Sequence, residues 1–231
     1  MDTMVEDLTF IVSEIFGPTL QGEGRLIGSP CYFIRFGGCD YRCSWCDTWY
    51  AVDPAQVRLS PRRTVHQIYD EMKSLGGYAE WVILTGGNPV VWDLSPLVYY
   101  LQHPHGMKVS VETQGSLWRE WLLLCDHVCI SPKPPSSGMA DAHPTWASRL
   151  KYMVLRLREA DIPHDLKIVI FDEADLEFAR QVHAMLPETT LDLSVGTATP
   201  SRPYTLDHFE GEQDSRESLL TRAELLAQKV L

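Results

Sequence analysis

Phe36-Gly37-Gly38-Cys39-Asp40-Tyr41-Arg42-Cys43-Ser44-Trp45-Cys46-Asp47-Thr48 places three cysteines within eight residues, spaced Cys39-x3-Cys43-x2-Cys46. A loop with this spacing can wrap three thiolates around one corner of an iron–sulfur cube. A closed structural zinc site takes four protein ligands, and an electron-carrying cluster normally takes four cysteines. Three thiolates on a [4Fe–4S] cluster leave one iron open to chelate a small molecule. A zinc knuckle would need a further Cys or His close by. No His precedes residue 66, and Cys31 falls in the strand-like run that enters the loop.

The surrounding 231 residues are enough for one large α/β domain with a sizeable core. Six cysteines in a chain of this length do not make a disulfide framework, and three of them belong to the loop. No apolar run approaches the length of a membrane span, and the first residues show no charged-then-apolar leader. A reducing cytoplasm is the expected compartment for these thiols. The formal net charge of −11 argues against a tight grip on phosphate backbones. A small-molecule substrate is therefore expected rather than a nucleic acid.

Six strand-length apolar runs are spaced along the chain: Cys31–Phe36, Trp81–Leu84, Lys108–Val111, His127–Ile130, Leu166–Ile170 and Leu191–Val195. Helix-period segments lie between them. Thr64-x-x-Gln67 reads as a capping box before Val65, Ile68, Met72 and Leu75, and Gly76-Gly77 ends that helix. Ser95 and Pro96 read as N-cap and first residue of a helix through Leu101. Further helices are expected over residues 116–124, 145–160, 172–186 and 216–230. Alternation of this kind implies a parallel sheet with right-handed crossovers. A closed eight-fold barrel needs roughly 250 residues, so six units point to an open, partial (β/α)6 barrel. A doubly wound sheet is the plainer alternative. Residues 8–30 are expected to add a strand or hairpin before the barrel (31–195), and 196–231 a loop, or lid, and a helix. The whole chain, 1–231, reads as one domain.

Ligand sites in parallel α/β folds gather at the carboxyl ends of the strands, and the chain's unusual motifs fall there. The cysteine loop follows the first strand, Thr85-Gly86-Gly87-Asn88-Pro89 the second, Glu112-Thr113-Gln114-Gly115 the third and Ser131-Pro132-Lys133-Pro134 the fourth. Taken singly, each could be an ordinary turn or a solvated strand end. Cys125 and Cys129 straddle a helix end and a strand, which suits core burial better than a second cluster.

The cysteine spacing resembles the radical S-adenosylmethionine (radical SAM) superfamily, in which the open iron holds the amino and carboxylate groups of SAM. Leu20-Gln21-Gly22-Glu23-Gly24, Arg35, the cysteine loop through Thr48, Thr85-Gly86-Gly87-Asn88-Pro89 and Glu112-Thr113-Gln114-Gly115 together resemble the 7-carboxy-7-deazaguanine synthase (QueE) family. The likeness runs from about residue 10 to residue 135. It implies a lyase that converts 6-carboxy-5,6,7,8-tetrahydropterin into 7-carboxy-7-deazaguanine with loss of ammonia, in 7-deazapurine and queuosine biosynthesis. It also implies a [4Fe–4S] cluster, SAM and Mg²⁺ as cofactors, a homodimer, and a flavodoxin or ferredoxin as reductant.

Carried onto this chain, the resemblance makes Cys39, Cys43 and Cys46 the cluster ligands and Thr48 the Mg²⁺ ligand. Leu20, Gln21, Gly22, Glu23, Arg35 and Thr85 become substrate contacts. Arg35 would fork onto the substrate carboxylate, and Gln21 and Glu23 would read the hydrogen-bonding edge of the pterin. Trp45, Cys46, Asp47, Gly87, Asn88, Glu112, Ser131, Pro132 and Lys133 become SAM contacts. Asn88 departs from the superfamily, which has an acidic residue there. Read as bare residues, Thr48 could equally cap a helix and Arg35 could face solvent. His208 is a candidate for a further substrate contact. No side chain is expected to act as a catalyst itself, because the radical chemistry belongs to the cofactor. The rival reading is a radical SAM activase that makes a glycyl radical on a partner protein. It would need a docking surface and no substrate hook such as Leu20–Gly24.

Overall fold

The computed structural model describes residues 8–197 and 216–230. β1 (Thr9–Leu20) runs antiparallel to β2 (Pro30–Phe36), with Ile15 opposite Ile34 and Phe16 opposite Phe33. A second irregularity in this ladder lies between Phe16 and Thr19. It accommodates Pro18, which has no N–H to give to a ladder. The segment 53–57 follows β2, with the Asp53 side chain capping α1 (Pro54–Val57). The three residues of β3 (Arg62–Thr64) then pair antiparallel with Thr9–Ile11 of β1.

From β2 onward the sheet is parallel. Its order is β3-β1-β2-β4-β5-β6-β7-β8, with β4 (Trp81–Gly86), β5 (Lys108–Thr113), β6 (His127–Ile130), β7 (His164–Ile170) and β8 (Leu191–Val195). The first and last strands of this order are not joined, so the six parallel strands make an open, partial (β/α)6 barrel, as the alternation predicts. The antiparallel β1 and the short β3 extend its leading edge.

Helices cover the outside. α2 (Val65–Ser74) starts at the predicted capping box: Thr64 Oγ1 accepts from Gln67 N–H, and Gln67 Oε1 accepts from Thr64 N–H. α3 (Ser95–Gln102) begins one residue earlier than expected. Asp93 Oδ1 accepts from both the N–H and the hydroxyl of Ser95, which makes Ser95 the first helical residue. The helix expected over 116–124 is only a 3₁₀ stretch, Glu120–Leu124. Its flanks are tied elsewhere, by Ser116 to Asn88 and by the Trp121 indole to Trp92 O, leaving room for tight turns only. The short α4 (Met139–Ala142) and then α5 (Trp146–Glu159), α6 (Glu173–Met185) and α7 (Arg216–Val230) complete the layer.

Strand alternation divides the two faces. Val109, Val111, Val128, Ile130, Leu166 and Ile168 are fully buried in the apolar core. Their neighbours Ser110, Glu112, His127, Cys129, Asp165 and Lys167 form a polar barrel interior, in which His127 Nδ1 lies 2.9 Å from Ser110 Oγ and its Nε2 2.6 Å from Asp165 Oδ1. Among the described residues no helix is long and apolar enough to cross a membrane. The region 198–215, read as a loop or lid and containing His208, lies outside the described residues.

Candidate active site

A cavity of about 510 Å³ opens at the carboxyl ends of the barrel strands. Leu20 reaches it from the end of β1, Gln21 and Glu23 from the β1–β2 connection, Arg35 from β2 and Thr85 from β4. Glu112, Ser131 and Lys133 line it from β5 and from the turn after β6. Cys39, Cys43 and the run Trp45–Thr48 close one side. Three predicted contacts, Gly22, Asn88 and Pro132, are not part of the lining.

The cysteine loop is held by hydrogen bonds at both flanks. Arg42 Nη1 donates to Cys39 O and Tyr41 O, each at 2.7 Å. Ser44 N–H donates to Ser137 O at 3.0 Å, and Ser44 Oγ to Ser136 O at 2.7 Å. The Trp45 indole donates to Ser136 Oγ at 3.0 Å while its ring lies against Phe171. At the root of the loop, Gly86 (φ +137°) and Gly87 lie against the backbone of Phe36–Gly38. A Cβ on Gly86 would sit 2.1 Å from Phe36 O, and one on Gly87 would sit 2.3 Å from Gly38 O. Only glycine allows this approach.

All six cysteines lie among the described residues, and none is joined in a disulfide. Burial pushes the Cys39 thiol up to about 12, assisted by the charges of Asp40, Cys43 and Cys46 and opposed by the Tyr41 N–H. A thiolate so disfavoured needs a metal to hold it ionised. Among the described residues no three His, Cys, Asp or Glu side chains converge closely enough to hold a single ion. Such an ion would draw thiolates to about 2.3 Å of one point. A cube is less demanding, because each thiolate binds its own iron. Three thiols lining one cavity, each able to bind its own iron, fit a cluster. Burial likewise pushes up the Cys31 thiol, to about 11, and those of Cys125 and Cys129. None of these three lines the cavity.

Across the cavity, charges are paired. Arg35 Nε donates to Glu14 Oε1 at 2.5 Å, and the Tyr50 hydroxyl donates to the same oxygen at 2.7 Å. Glu112 accepts from Gln21 Nε2 at 3.0 Å and from Thr85 Oγ1 at 2.7 Å. Lys167 donates to Glu23 Oε2 at 2.7 Å and lies 3.9 Å from Glu112 Oε1. Burial alone would raise the Glu112 carboxyl. Lys167, the two hydrogen bonds and Arg35 outweigh it and hold the group below its ordinary range. Burial would lower Lys167, but Glu112 and Glu23 hold its ammonium above the ordinary lysine range. Three backbone groups of the hook are already occupied. Gly22 N–H donates to Gln21 Oε1 at 2.8 Å, and Gln21 N–H and O pair with Ser29 and Gly28. Side chains, not these backbone groups, are what the hook offers a ligand.

Thr48 precedes a 3₁₀ turn, Trp49–Ala51, but its side chain makes no capping bond. Its hydroxyl lies 3.8 Å from Cys46 Sγ and faces the cavity. Asn88 is fully buried behind the cavity. Its Nδ2 donates to Asp40 Oδ1 (2.8 Å) and Ser116 Oγ (3.3 Å), and its Oδ1 accepts from Thr113 Oγ1 (2.9 Å) and Val90 N–H (3.3 Å). With both ends of its amide engaged, Asn88 braces the cysteine loop rather than facing a ligand. Lys133 donates to Ser131 Oγ at 3.0 Å and lies 5.6 Å from the centre of the Trp45 ring.

Lys167 and Glu14 were given no role by the sequence reading, and Gln114 was noted there only as part of a motif. Gln114 donates to Asp40 Oδ1 at 2.7 Å beside Cys39. Lys167 was the one recognisable signal: a lysine within the otherwise apolar run 166–170, where a charge needs a partner.

The description "Radical SAM superfamily" applies to residues 33–131, the stretch from β2 to the turn after β6. A 7-carboxy-7-deazaguanine synthase of Bacillus subtilis (strain 168) is 38% identical over 95% of this chain and 87% of its own length. One of Bacillus cereus is 40% identical over 80% of this chain and 76% of its own. The crystal structure of QueE from Escherichia coli shares the fold, with a TM-score of 0.56 at 18% identity, covering 84% of this chain and 97% of that one. Superfamily match, cysteine loop and full-length relatives agree: the chain belongs to the 7-carboxy-7-deazaguanine synthase family of radical SAM enzymes, with the [4Fe–4S] cluster and SAM which that superfamily implies.

Proposed function

We propose that the protein is a carbon–nitrogen lyase that converts 6-carboxy-5,6,7,8-tetrahydropterin into 7-carboxy-7-deazaguanine with loss of ammonia, a step towards queuosine and related 7-deazapurines. The observation that carries this reading is the single cavity that joins the three-cysteine loop to a set of paired carboxylates and cations. When bound and reduced, the cluster supplies the electron that cleaves SAM and so provides the radical that starts the rearrangement. Cys39, Cys43 and Cys46 hold that cluster, and Trp45, Asp47, Gly87, Ser131 and Lys133 flank the SAM side of the cavity. Glu112, on the same cavity, is assigned instead to the substrate because Gln21 and Thr85 both bond it.

Gln21, Glu23, Glu112 and Thr85 position the pterin edge, and Arg35 takes the substrate carboxylate in exchange for part of its pairing with Glu14. The segment 8–30 acts as a substrate-binding extension of the barrel, residues 31–195. Thr48 offers its hydroxyl to Mg²⁺. One oxygen is a poor site alone, so Thr48 would hold such an ion only together with oxygens from outside the chain, and the ion would supply positive charge beside the substrate. A flavodoxin- or ferredoxin-type protein serves as reductant, and the working form is a homodimer.

A cavity of small-molecule size, lined by the hydrogen-bonding groups of Gln21, Glu23, Thr85 and Glu112, favours this reading over the activase. The test is an anaerobic reaction with reconstituted protein, dithionite, SAM, Mg²⁺ and the carboxytetrahydropterin, followed by mass spectrometry. Formation of 7-carboxy-7-deazaguanine is expected. Uncoupled SAM cleavage with no deazapurine at any substrate concentration would overturn the proposal.

A further inference from the structure

Lys167 comes from the middle of β7 and is nearly sealed from solvent, its side chain 11% exposed. It touches Glu23 of the β1–β2 connection and approaches Glu112 of β5, the two carboxylates that line the same part of the cavity. A carboxylate only accepts hydrogen bonds, whereas a carboxylic acid also donates. Burial favours the acid, and a second carboxylate nearby favours it further. The other groups facing this pair are Arg35 from β2, the neutral donors Gln21 and Thr85, and the thiols of Cys31 and Cys129, which burial keeps protonated. Asp165 of β7 is paired with His127 of β6, 2.6 Å away, and interacts with Asp192 of β8, so neither aspartate is a free countercharge for Lys167. Lys167 is thus the cation placed between the two acceptors.

A pterin presents, on its pyrimidine ring, an amino group beside a ring N–H, two donors in a row. Resting on the lyase reading above, we propose that Lys167 is a specificity-determining positioning residue: by holding Glu23 and Glu112 together as acceptors, it makes the cavity accept a donor–donor edge and reject one that offers a carbonyl there. Lys167 acts through the carboxylates and contributes nothing to the bond-breaking steps.

The test uses the anaerobic, cluster-loaded enzyme and its Lys167→Met, Lys167→Arg and Lys167→Met/Glu112→Gln variants. Infrared difference spectra against the Glu112→Gln background report the protonated carboxyl of Glu112 directly, without substrate. Wild type should show that band only below the ordinary carboxylate range, Lys167→Met should show it near neutral pH, and Lys167→Arg should restore the wild-type pattern. Calorimetric binding of the carboxytetrahydropterin should be level near neutrality for wild type. In Lys167→Met it should weaken as pH falls, by about tenfold for each unit below the displaced pKa. The same variant should lose discrimination against the 2-oxo analogue, 6-carboxytetrahydrolumazine, while the double variant should lose the pH dependence.

A Lys167→Met enzyme with no neutral-pH band, or with the band but unchanged pterin affinity and discrimination, overturns the role of Lys167. If Lys167→Met does not fold, the wild-type titration decides alone: a Glu112 band already present near neutral pH refutes the proposal. A wild type that fails to bind the pterin overturns the lyase reading itself, and with it the specificity role, whatever the band does.

Discussion

Replacing Asn88 by alanine separates a brace from a ligand contact. The side chain makes four hydrogen bonds in a site with no solvent exposure. The bond to the Asp40 carboxylate is worth about 1.5–3 kcal/mol and each of the other three about 1 kcal/mol. The sum is an upper bound, because Asp40 keeps its bond from Gln114 and the Thr113 hydroxyl can rotate. A loss of about 3–4 kcal/mol remains, a large part of the roughly 5–15 kcal/mol that holds a domain folded. At about 2–4 °C per kcal/mol for a chain of this size, the melting temperature should fall by roughly 6–16 °C. Circular dichroism melts of anaerobic protein, with iron content and SAM affinity measured on the same samples at low temperature, provide the assay. The brace predicts a large thermal loss and poorer iron retention, with near-normal SAM affinity in the molecules that keep a full cluster. A melting temperature unchanged within about 2 °C, accompanied by a selective loss of SAM affinity, would refute the reasoning and make Asn88 a ligand contact.

Alanine at Cys39, Cys43 or Cys46 should abolish SAM cleavage and bleach the visible absorbance of the cluster, while Cys31→Ala, Cys125→Ala and Cys129→Ala should retain iron. Cys31, Cys125 and Cys129, with thiols pushed up by burial, should resist iodoacetamide in the native protein and react after unfolding. Thr48→Ala should reduce Mg²⁺-stimulated turnover without altering iron content; an unchanged Mg²⁺ response would remove Thr48 as a ligand. Glu112 is held below its unfolded value, so its contribution to stability is present above about pH 4.3 and disappears as pH falls through the lower folded pKa. Acid titration of stability in Glu112→Gln should lack that segment of the decline, as read by denaturant midpoints.

Much of the architecture was legible because strand runs such as Leu166–Ile170 and the Thr64–Gln67 capping box are local signals. β3 was not, because Arg62-Arg63-Thr64 has no apolar pattern and exists as a strand only through its partners Thr9–Ile11. The 3₁₀ stretch Glu120–Leu124 was read as part of a longer helix for a related reason: tertiary bonds at Ser116 and Trp121 override a helical pattern. In the site, the loop and the strand-end motifs announce themselves by composition. What they do not announce is pairing. Arg35 alone suggests a waiting cation, yet Glu14 lies 21 residues away in sequence and already bonds it. Lys167 lies 144 residues from its partner Glu23, and no spacing rule connects them. Asn88 sits in the motif that suggests a SAM contact, but its amide turns away from the cavity because Asp40 and Thr113 hold it.

The backbone interlock at the root of the cysteine loop bears on how such an enzyme survives oxygen. Gly87 N–H donates to Phe36 O, Asn88 N–H to Gly38 O, Gly38 N–H to Ala51 O and Gly37 N–H to Ile11 O. These welds join four separate segments, and none of them passes through a cysteine sulfur. A cluster lost to oxidation therefore leaves behind a mould of nearly the right shape, so that refilling it with iron and sulfide is an assembly problem and not a refolding one. At this point the scaffold's own cohesion is independent of the cofactor.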